Sequence, residues 1–211
     1  MSLWYYFTVI TQITSKFHRR IALIDFFLIL FSLTCLCEAR VLLTNGDFEQ
    51  ELRYGWQQLI VRPTWYDTID LAAKYDSDPD LEIRVKKYHY TSAKVYQTVN
   101  IPTTDLQFSI AAQLLAHEHP STSTYYWSAA AVVLRYLDNN YNLLGETRIT
   151  NKSLHCPWNN TSSIHLINVI DTNNWYTYSF NVDNELNNLP GINRGNIKKV
   201  QVALFDTTNG C

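Results

Sequence analysis

Three oxygen-bearing side chains lie close together near the start of the chain and could bind a hard cation. They are Asn45, Asp47 and Glu49, in the run Asn-Gly-Asp-Phe-Glu. Asn-Gly favours a tight turn because both residues tolerate positive φ. Alternation of side chains then places Asp47 and Glu49 opposite Phe48. Carboxylate and amide oxygens suit calcium, so the stretch predicts a structural Ca2+ site, with an ordinary capped turn as the alternative.

Aromatic side chains are the second group of candidate functional residues, and the role we expect for them is binding. The chain has 14 Tyr and 6 Trp against 9 Phe. Tyrosine and tryptophan carry a polar edge and suit partly exposed surfaces, where the apolar face of a sugar ring can stack on them. The predicted stacking residues lie in or beside loops and are Trp65, Tyr66, Tyr88, Tyr90, Tyr125, Tyr126 and Trp158, with Arg84, Gln113 and Arg135 as partners for sugar hydroxyls. The alternative for each ring is packing between sheets.

Residue patterns for catalysis are missing from the sequence. A glycoside hydrolase needs two facing carboxylates, but Glu82, Glu118 and Glu146 fall near the ends of predicted strands and Asp138 opens a turn. No nucleophile elbow, P-loop or dinucleotide fingerprint occurs. The net charge of -2 argues against a nucleic-acid partner. We therefore predict a protein that is not an enzyme and that binds no nucleic acid.

The first 39 residues differ in character from the rest and predict a secretory signal peptide. Basic residues around Arg19 precede an apolar run at 21–37, and Cys37-Glu38-Ala39 offers small residues for a signal peptidase. A retained signal anchor is the alternative, although the run is at the short limit for a membrane span and contains Asp25. Either way residues 40–211 are expected outside the cytosol: secreted, or membrane-anchored if the leader is retained.

Cysteines and glycosylation sequons support this compartment. Cys156 and Cys211 remain after the leader, and an oxidising environment favours a disulfide between them. Sequons for N-glycosylation occur in one Asn-rich segment, at Asn151, Asn159 and Asn160. The last two overlap, so we expect only one of them to be used.

The elements that must position these residues are predicted to be strands. Short alternating or apolar runs are separated by turn residues, and no long amphipathic helix occurs, which favours an antiparallel β-sandwich with jelly-roll topology. No internal repeat or linker divides residues 40–211, so they are expected to form one domain. The predicted strands are 41–43, 56–61, 81–85, 93–101, 106–114, 125–137, 143–149, 164–170, 175–182 and 198–205. Residues 67–80 and 183–196 are expected to be loops.

The opening run, with Gly55-Trp56 after it, resembles carbohydrate-binding modules that have a galactose-binding-like β-sandwich. In these modules a strand is followed by Asn-Gly-x-Phe-Glu and then Gly-Trp, and a later strand ends in Gln-x-Val, here Gln97-Thr98-Val99. The resemblance implies that Trp56 and Trp175 are core residues. It also implies a further strand whose Asp closes the calcium site. That strand has no counterpart after Phe205, so either the chain ends before it or the protein departs from the pattern.

The resemblance implies non-catalytic binding of an extracellular polysaccharide or glycan through aromatic stacking. A structural or protein-interaction domain without sugar binding is the alternative, since fold does not fix function. Membrane contact is expected only if the leader is retained as an anchor.

Overall fold

The computed structural model describes residues 41–73, 81–88, 90–116, 125–169, 172 and 174–209. The described strands belong to one compact unit that begins at Leu42. The leader prediction for residues 1–39 lies outside the described residues. The strands are β1 Gln57–Ile60, β2 Thr68–Ala73, β3 Leu81–Lys86, β4 Thr91–Asn100, β5 Gln107–Ala112, β6 Ser128–Leu137, β7 Leu143–Lys152, β8 Ile164–Asn168, β9 Tyr176–Asn181 and β10 Lys199–Thr208.

Six strands form the main sheet, in the order β1-β4-β10-β6-β7-β8. All neighbours in it are antiparallel except β7 and β8, which run parallel. Two smaller antiparallel pairs, β2-β3 and β5-β9, complete the fold. The strand β10 therefore lies at the centre of the main sheet, between β4 and β6.

The core lies on one face of the main sheet, where every second residue of the central strands points inward. Val95 of β4, Leu134 of β6 and Val202 of β10 are buried there together with Phe108 of β5. Half-buried residues of the β2-β3 hairpin, such as Ile83, join the same cluster. Because β6 is also covered on its other face, it reads as a nearly continuous apolar run rather than an alternating one.

A short helical segment follows β9. The helix α1, Val182–Glu185, begins at Asn181, whose side chain accepts a hydrogen bond from the Asn184 amide at 3.1 Å. Two 3-10 helices follow at Leu186–Asn188 and Arg194–Asn196. The segment 183–196, predicted as a loop, is thus partly helical.

Several sequence predictions are wrong in detail. Residues 41–43 form no strand: Leu42 and Leu43 pack on the core as a bend. Part of the segment 67–80 is strand β2, which pairs along its whole length with β3. The sheet is not purely antiparallel, because β8 returns beside β7 in parallel. Trp175 is 41 % exposed rather than buried, whereas Trp56 is buried as predicted.

The all-β expectation is confirmed, since strands make up most of the regular structure among the described residues. Within that part of the chain, none of the helices has the length and apolar character needed to cross a membrane.

Candidate functional site

Four of the predicted stacking residues lie on two loops at one end of the main sheet. Trp65 and Tyr66 lie between β1 and β2, and Tyr88 and Tyr90 between β3 and β4. Trp65 is 99 % exposed, and all four rings are on the surface. The centroids of Tyr66 and Tyr88 are 5.6 Å apart. We call Trp65, Tyr66, Tyr88 and Tyr90 the aromatic platform.

A buried ion pair joins the two loops beneath the aromatic platform. Lys87 Nζ lies 2.6 Å from Asp67 Oδ2, and both side chains have no exposed surface. Asp67 also accepts hydrogen bonds from the backbone amides of Thr64 at 2.7 Å and Tyr88 at 2.9 Å. Burial works against the charged carboxylate, but Lys87 and these amides outweigh it and lower the pKa of Asp67 to about 2. The loops are therefore held by a charged and fully bonded centre.

A second buried carboxylate fixes the same loops to the central strand. Asp206 of β10 accepts a hydrogen bond from the Lys87 amide at 2.8 Å. Burial raises the pKa of Asp206 to about 6, and the negative charge of Asp67 acts in the same direction. The hydroxyl of Thr91 donates to the Val61 carbonyl, which adds another link between the loops.

Tyr125 and Tyr126 lie at the same end of the main sheet as the aromatic platform. Thr91 of β4, Thr208 of β10 and Ser128 of β6 are aligned across the sheet. The chain segments just before Thr91 and Ser128 are therefore about 10 Å apart, two strand spacings. The side chain of Asn209 accepts from the Trp127 amide and donates to the Tyr125 carbonyl. Tyr125 is 81 % exposed.

Trp158 and Arg135 belong to a different surface, the face of the main sheet turned away from the core. Trp158 stacks on Phe205 with ring centroids 6.0 Å apart, and the Arg148 guanidinium lies 4.2 Å from its ring centroid. Arg135 Nε donates to Glu146 at 3.0 Å, and Arg148 bonds the other oxygen of that carboxylate. The structure thus brings Trp158 and Arg135 into one cluster through Glu146 and Arg148.

The two remaining polar candidates bond residues other than those of the two groups above. Arg84 forms an exposed bidentate pair with Asp70 across the β2-β3 hairpin. Gln113 donates to the carbonyl of Thr172 at 3.1 Å.

The opening loop uses its polar groups to close on itself. Asn45 Oδ1 accepts from the Gln50 amide at 2.9 Å, and its Nδ2 donates to the carbonyl of the same residue. Asp47 and Glu49 are exposed. Calcium takes six to eight oxygens, and no group of three acidic, histidine or cysteine side chains occurs within the described residues. Because the Asn45 amide is already bonded, these residues fit a capped turn better than a calcium site, which stays a prediction.

The sequence motifs of the opening loop contact one another. Trp56 Nε1 donates to the Asn45 carbonyl at 2.9 Å. Gln97 pairs with the backbone of Thr44 in both directions, at 2.7 and 2.8 Å. Gly55 has φ of 95° and lies against both partners. The opening loop is thereby fixed to β4.

The structure describes only some of the residues on which the disulfide and glycosylation predictions rest. Cys156 is buried and bonds no other cysteine among the described residues, and burial raises the pKa of its thiol. Cys211 lies outside the described residues, so their pairing stays a prediction. Asn151 lies on β7 and accepts from the Ala116 amide. Asn159 and Asn160 are exposed, on the segment that follows.

Two clusters of charged side chains were not predicted from the sequence. One is Asp67 with Lys87, and the other surrounds Glu185 in α1. The Glu185 carboxylate accepts hydrogen bonds from Thr147 at 2.9 Å and Asn188 at 3.0 Å, and it pairs with His165. Lys87 and His165 each lie 20 residues from their acidic partners, and Asp67 and Glu185 fall in segments predicted as loops, so no local pattern in the sequence signalled either cluster.

Comparisons with known proteins add little. No protein-family model matches the chain, and no curated protein matches it. Among solved structures the chain is similar to the enzymatically active domain of tailspike protein 4 of bacteriophage CBA120, with 14% sequence identity and a TM-score of 0.40. The match covers 78% of this chain and 19% of that chain, so this chain spans about a fifth of the length of the structure it matches. A similarity at this level indicates nothing about what this chain binds.

Proposed function

We propose that the chain is a non-catalytic carbohydrate-binding module with a galactose-binding-like jelly-roll β-sandwich, acting on an extracellular polysaccharide or glycan. The observation that carries the proposal is the aromatic platform. A tryptophan that is 99 % exposed stands beside three further exposed tyrosine rings, and a contiguous exposed aromatic patch of this kind is typical of an interaction site.

The rigidity of the platform supports binding rather than accidental exposure. The Asp67–Lys87 pair and the Asp206 contact hold both loops from below, so the loop backbones lose little conformational freedom when a ligand arrives. Tyr125, about two strand spacings from Tyr90, extends the aromatic surface toward the length of a short oligosaccharide.

The proposed galactose-binding-like fold is supported by contacts among the Asn-Gly turn, the Gly-Trp pair and the Gln-x-Val strand. Gln97 of the Gln-x-Val strand bonds the opening loop, and the Gly-Trp pair closes on the Asn-Gly turn. The two smaller sheets on one face of the six-stranded sheet are compatible with a sandwich. A secreted protein, or one tethered by its leader, agrees with this assignment.

The test is binding of the full chain, expressed in a eukaryotic host, to an array of soluble glycans and cell-wall polysaccharides. We expect saturable binding that Trp65→Ala and Tyr66→Ala each weaken by about tenfold or more, since a stacked ring contributes roughly 1–2 kcal/mol. Tyr141→Ala is the matched control, because Tyr141 is equally exposed but lies at the β6–β7 turn, at the other end of the main sheet.

Two outcomes would contradict the proposal. A folded protein that binds none of the glycans would favour the protein-interaction alternative, for which an exposed aromatic surface is equally suited. Binding that Trp65→Ala, Tyr66→Ala and Tyr141→Ala all leave unchanged would show that the aromatic platform is not the binding site.

A further inference from the structure

The face of the main sheet turned away from the core carries an excess of positively charged side chains. We call this surface the outer face. Its central row runs from Tyr96 of β4 through Ala203 of β10 and Val133 of β6 to Arg148 of β7. The side chains that project from the described strands on this face include the cations Lys94, Arg135, Arg148, Lys152 and Lys199, against Glu146 as the one carboxylate. The whole chain, by contrast, has a net charge of -2.

Glu146 offsets only part of this positive charge, since it is one carboxylate against five cations. Its side chain is only 3% exposed, and both of its oxygens are already bonded, one by Arg135 and the other by Arg148. The Nη atoms of Arg135 make no hydrogen bond to the described residues. Lys94 lies 4.5 Å from the centroid of the Tyr96 ring and pairs with no described carboxylate. Positive charge therefore remains uncompensated across the middle of the sheet.

Lys94 and Arg135 also affect each other. Burial lowers the pKa of Lys94, and the positive charge of Arg135 lowers it further. Like charges held close enough to interact favour the arrival of an anion between them.

The surface between these cations is apolar. Ala131, Val133 and Ala203 are buried there under the larger side chains of Tyr96, Trp158 and Phe205. These partly exposed aromatic rings could stack against a flat ligand that has an apolar face, such as a pyranose ring.

An unpaired acceptor on the same face indicates a ligand with hydroxyl groups. Gln201 Nε2 donates to Thr98 at 2.9 Å, but its buried Oε1 has no hydrogen-bond partner among the described residues. Gln201 is aligned directly with Arg135 on the neighbouring strand. A buried acceptor without a donor is unfavourable, and a rotation of the Gln201 side chain that brings Oε1 to the surface would let a ligand hydroxyl beside the acid group donate to it.

We propose that the outer face binds an acidic saccharide, with its carboxylate or sulfate at Arg135 and Lys94, a hydroxyl donating to Gln201 Oε1 and a ring against Tyr96. The choice of a saccharide rests on the proposed function, whereas the preference for an acid group rests on the outer face alone.

Calorimetric titration of the full chain with three oligosaccharides of equal length tests the preference: a polyuronate, a sulfated glycan and a neutral glucan. We expect at least one acidic oligosaccharide to bind about tenfold tighter than the neutral one, because hydrogen bonds to an ionised group are stronger than those between neutral groups. The arm that binds identifies the acid group as carboxylate or sulfate.

Variants locate the binding on the outer face. Lys94→Gln and Arg135→Gln should each weaken binding of the acidic oligosaccharide by about fivefold or more. Arg135→Gln also removes an ion-pair partner of Glu146 and could impair folding. Lys94→Gln leaves that pair intact and therefore tests the site by itself. Gln201→Leu should weaken the binding too. Arg53→Gln is the matched control, since Arg53 is exposed, pairs with Glu51 and lies outside the outer face.

Equal affinity for acidic and neutral oligosaccharides, unaffected by the Lys94 and Arg135 variants, would overturn the inference. If Trp65→Ala still weakened the neutral ligand in that case, the proposed function would stand. Tight binding of poly-glutamate that Gln201→Leu leaves unchanged would also overturn it, because the face would then take any polyanion rather than a hydroxylated acid.

Discussion

Gly55 leaves less room for a side chain than Gly46, the other glycine of the opening loop. Its φ of 95° is a conformation that side chains disfavour, and a Cβ there would lie 2.7 Å from Gln97 Nε2 and 2.9 Å from the Thr44 side chain. We expect Gly55→Ala to lower the free energy of unfolding by about 2 kcal/mol or more, measured by urea denaturation. Gly46→Ala is the control: its Cβ would meet only Leu43 at an ordinary 3.4 Å, and a cost as large as that of Gly55→Ala would contradict the steric reason.

Asn160 is the residue best placed for glycosylation. Its Oδ1 accepts from the Leu166 amide, while its Nδ2, where a glycan attaches, makes no hydrogen bond to the described residues. The Nδ2 of Asn159 donates to the Pro157 carbonyl. Because the sequons overlap, Ser162→Ala removes only that of Asn160 and Thr161→Val only that of Asn159.

We therefore expect Ser162→Ala, but not Thr161→Val, to reduce the intact mass of the protein expressed in a eukaryotic host by one glycan. Asn151→Gln should leave the mass unchanged, since Asn151 bonds the Ala116 amide and Ser153 of its sequon is buried. Loss of the glycan with Thr161→Val alone would show that the free Nδ2 does not decide the choice.

At the scale of elements, the Asp67–Lys87 pair decides whether the two aromatic loops stay together. Lys87→Met would leave a fully buried carboxylate without its partner, which typically costs about 3–5 kcal/mol. We expect a loss of that order in the free energy of unfolding, and partial recovery when Asp67→Asn is added.

The exposed pair of Arg84 with Asp70 provides the comparison for this prediction. Its side chains are 52% and 40% exposed, and Arg84→Met should cost less than about 1 kcal/mol. Similar losses for Lys87→Met and Arg84→Met in urea denaturation would mean that burial does not set the strength of the inner pair.

Elements with a clear side-chain period could be predicted from the sequence, and the others could not. In β4 the alternation of Val95, Gln97 and Val99 gave both the strand and its buried face. β2 was missed because Asp67 and Asp70 make its surroundings look like a polar turn, although Asp67 is bonded inside the fold and Asp70 is paired with Arg84. No local pattern specifies that β8 returns parallel to β7, since a strand's direction depends on the path of its connection.

The candidate site was predictable only as a set of residue types. The sequence placed Trp65, Tyr66, Tyr88 and Tyr90 in loops, and they are on the surface. That Lys87 reaches Asp67, or that Glu146 lies between two arginines, depends on strand register, which no single segment encodes. The separation of Trp158 from the aromatic platform has the same cause, because it lies over the outer face of the sheet.

At the scale of the whole molecule, the buried carboxylates make stability depend on pH in two opposite ways. The pKa of Asp206 is raised from 3.8 to about 6, so between about pH 4 and 6 the folded protein binds more protons than the unfolded chain. Its contribution therefore makes the free energy of unfolding fall as the pH rises through this range, by up to roughly 3 kcal/mol. Asp67, with its pKa lowered to about 2, contributes stability that is present above about pH 4 and lost as the pH falls toward 2.

We expect Asp206→Asn to remove the decline between pH 4 and 6, measured as the free energy of unfolding in urea at several pH values. The substitution keeps an oxygen that can accept from the Lys87 amide. Asp70→Asn, which changes an exposed carboxylate, should leave the decline in place. A parent protein and an Asp206→Asn variant with parallel pH profiles would contradict the assignment.

The central position of β10 has a consequence for how the protein is made. The strand is the last one described in chain order, yet it fills the gap between β4 and β6. Until residues 199–208 have left the ribosome, those two strands have unpaired inner edges, and nascent chains with such edges are prone to join one another. The main sheet can therefore close only after β10 has emerged, and until then the inner edges of β4 and β6 are open to pairing with other chains.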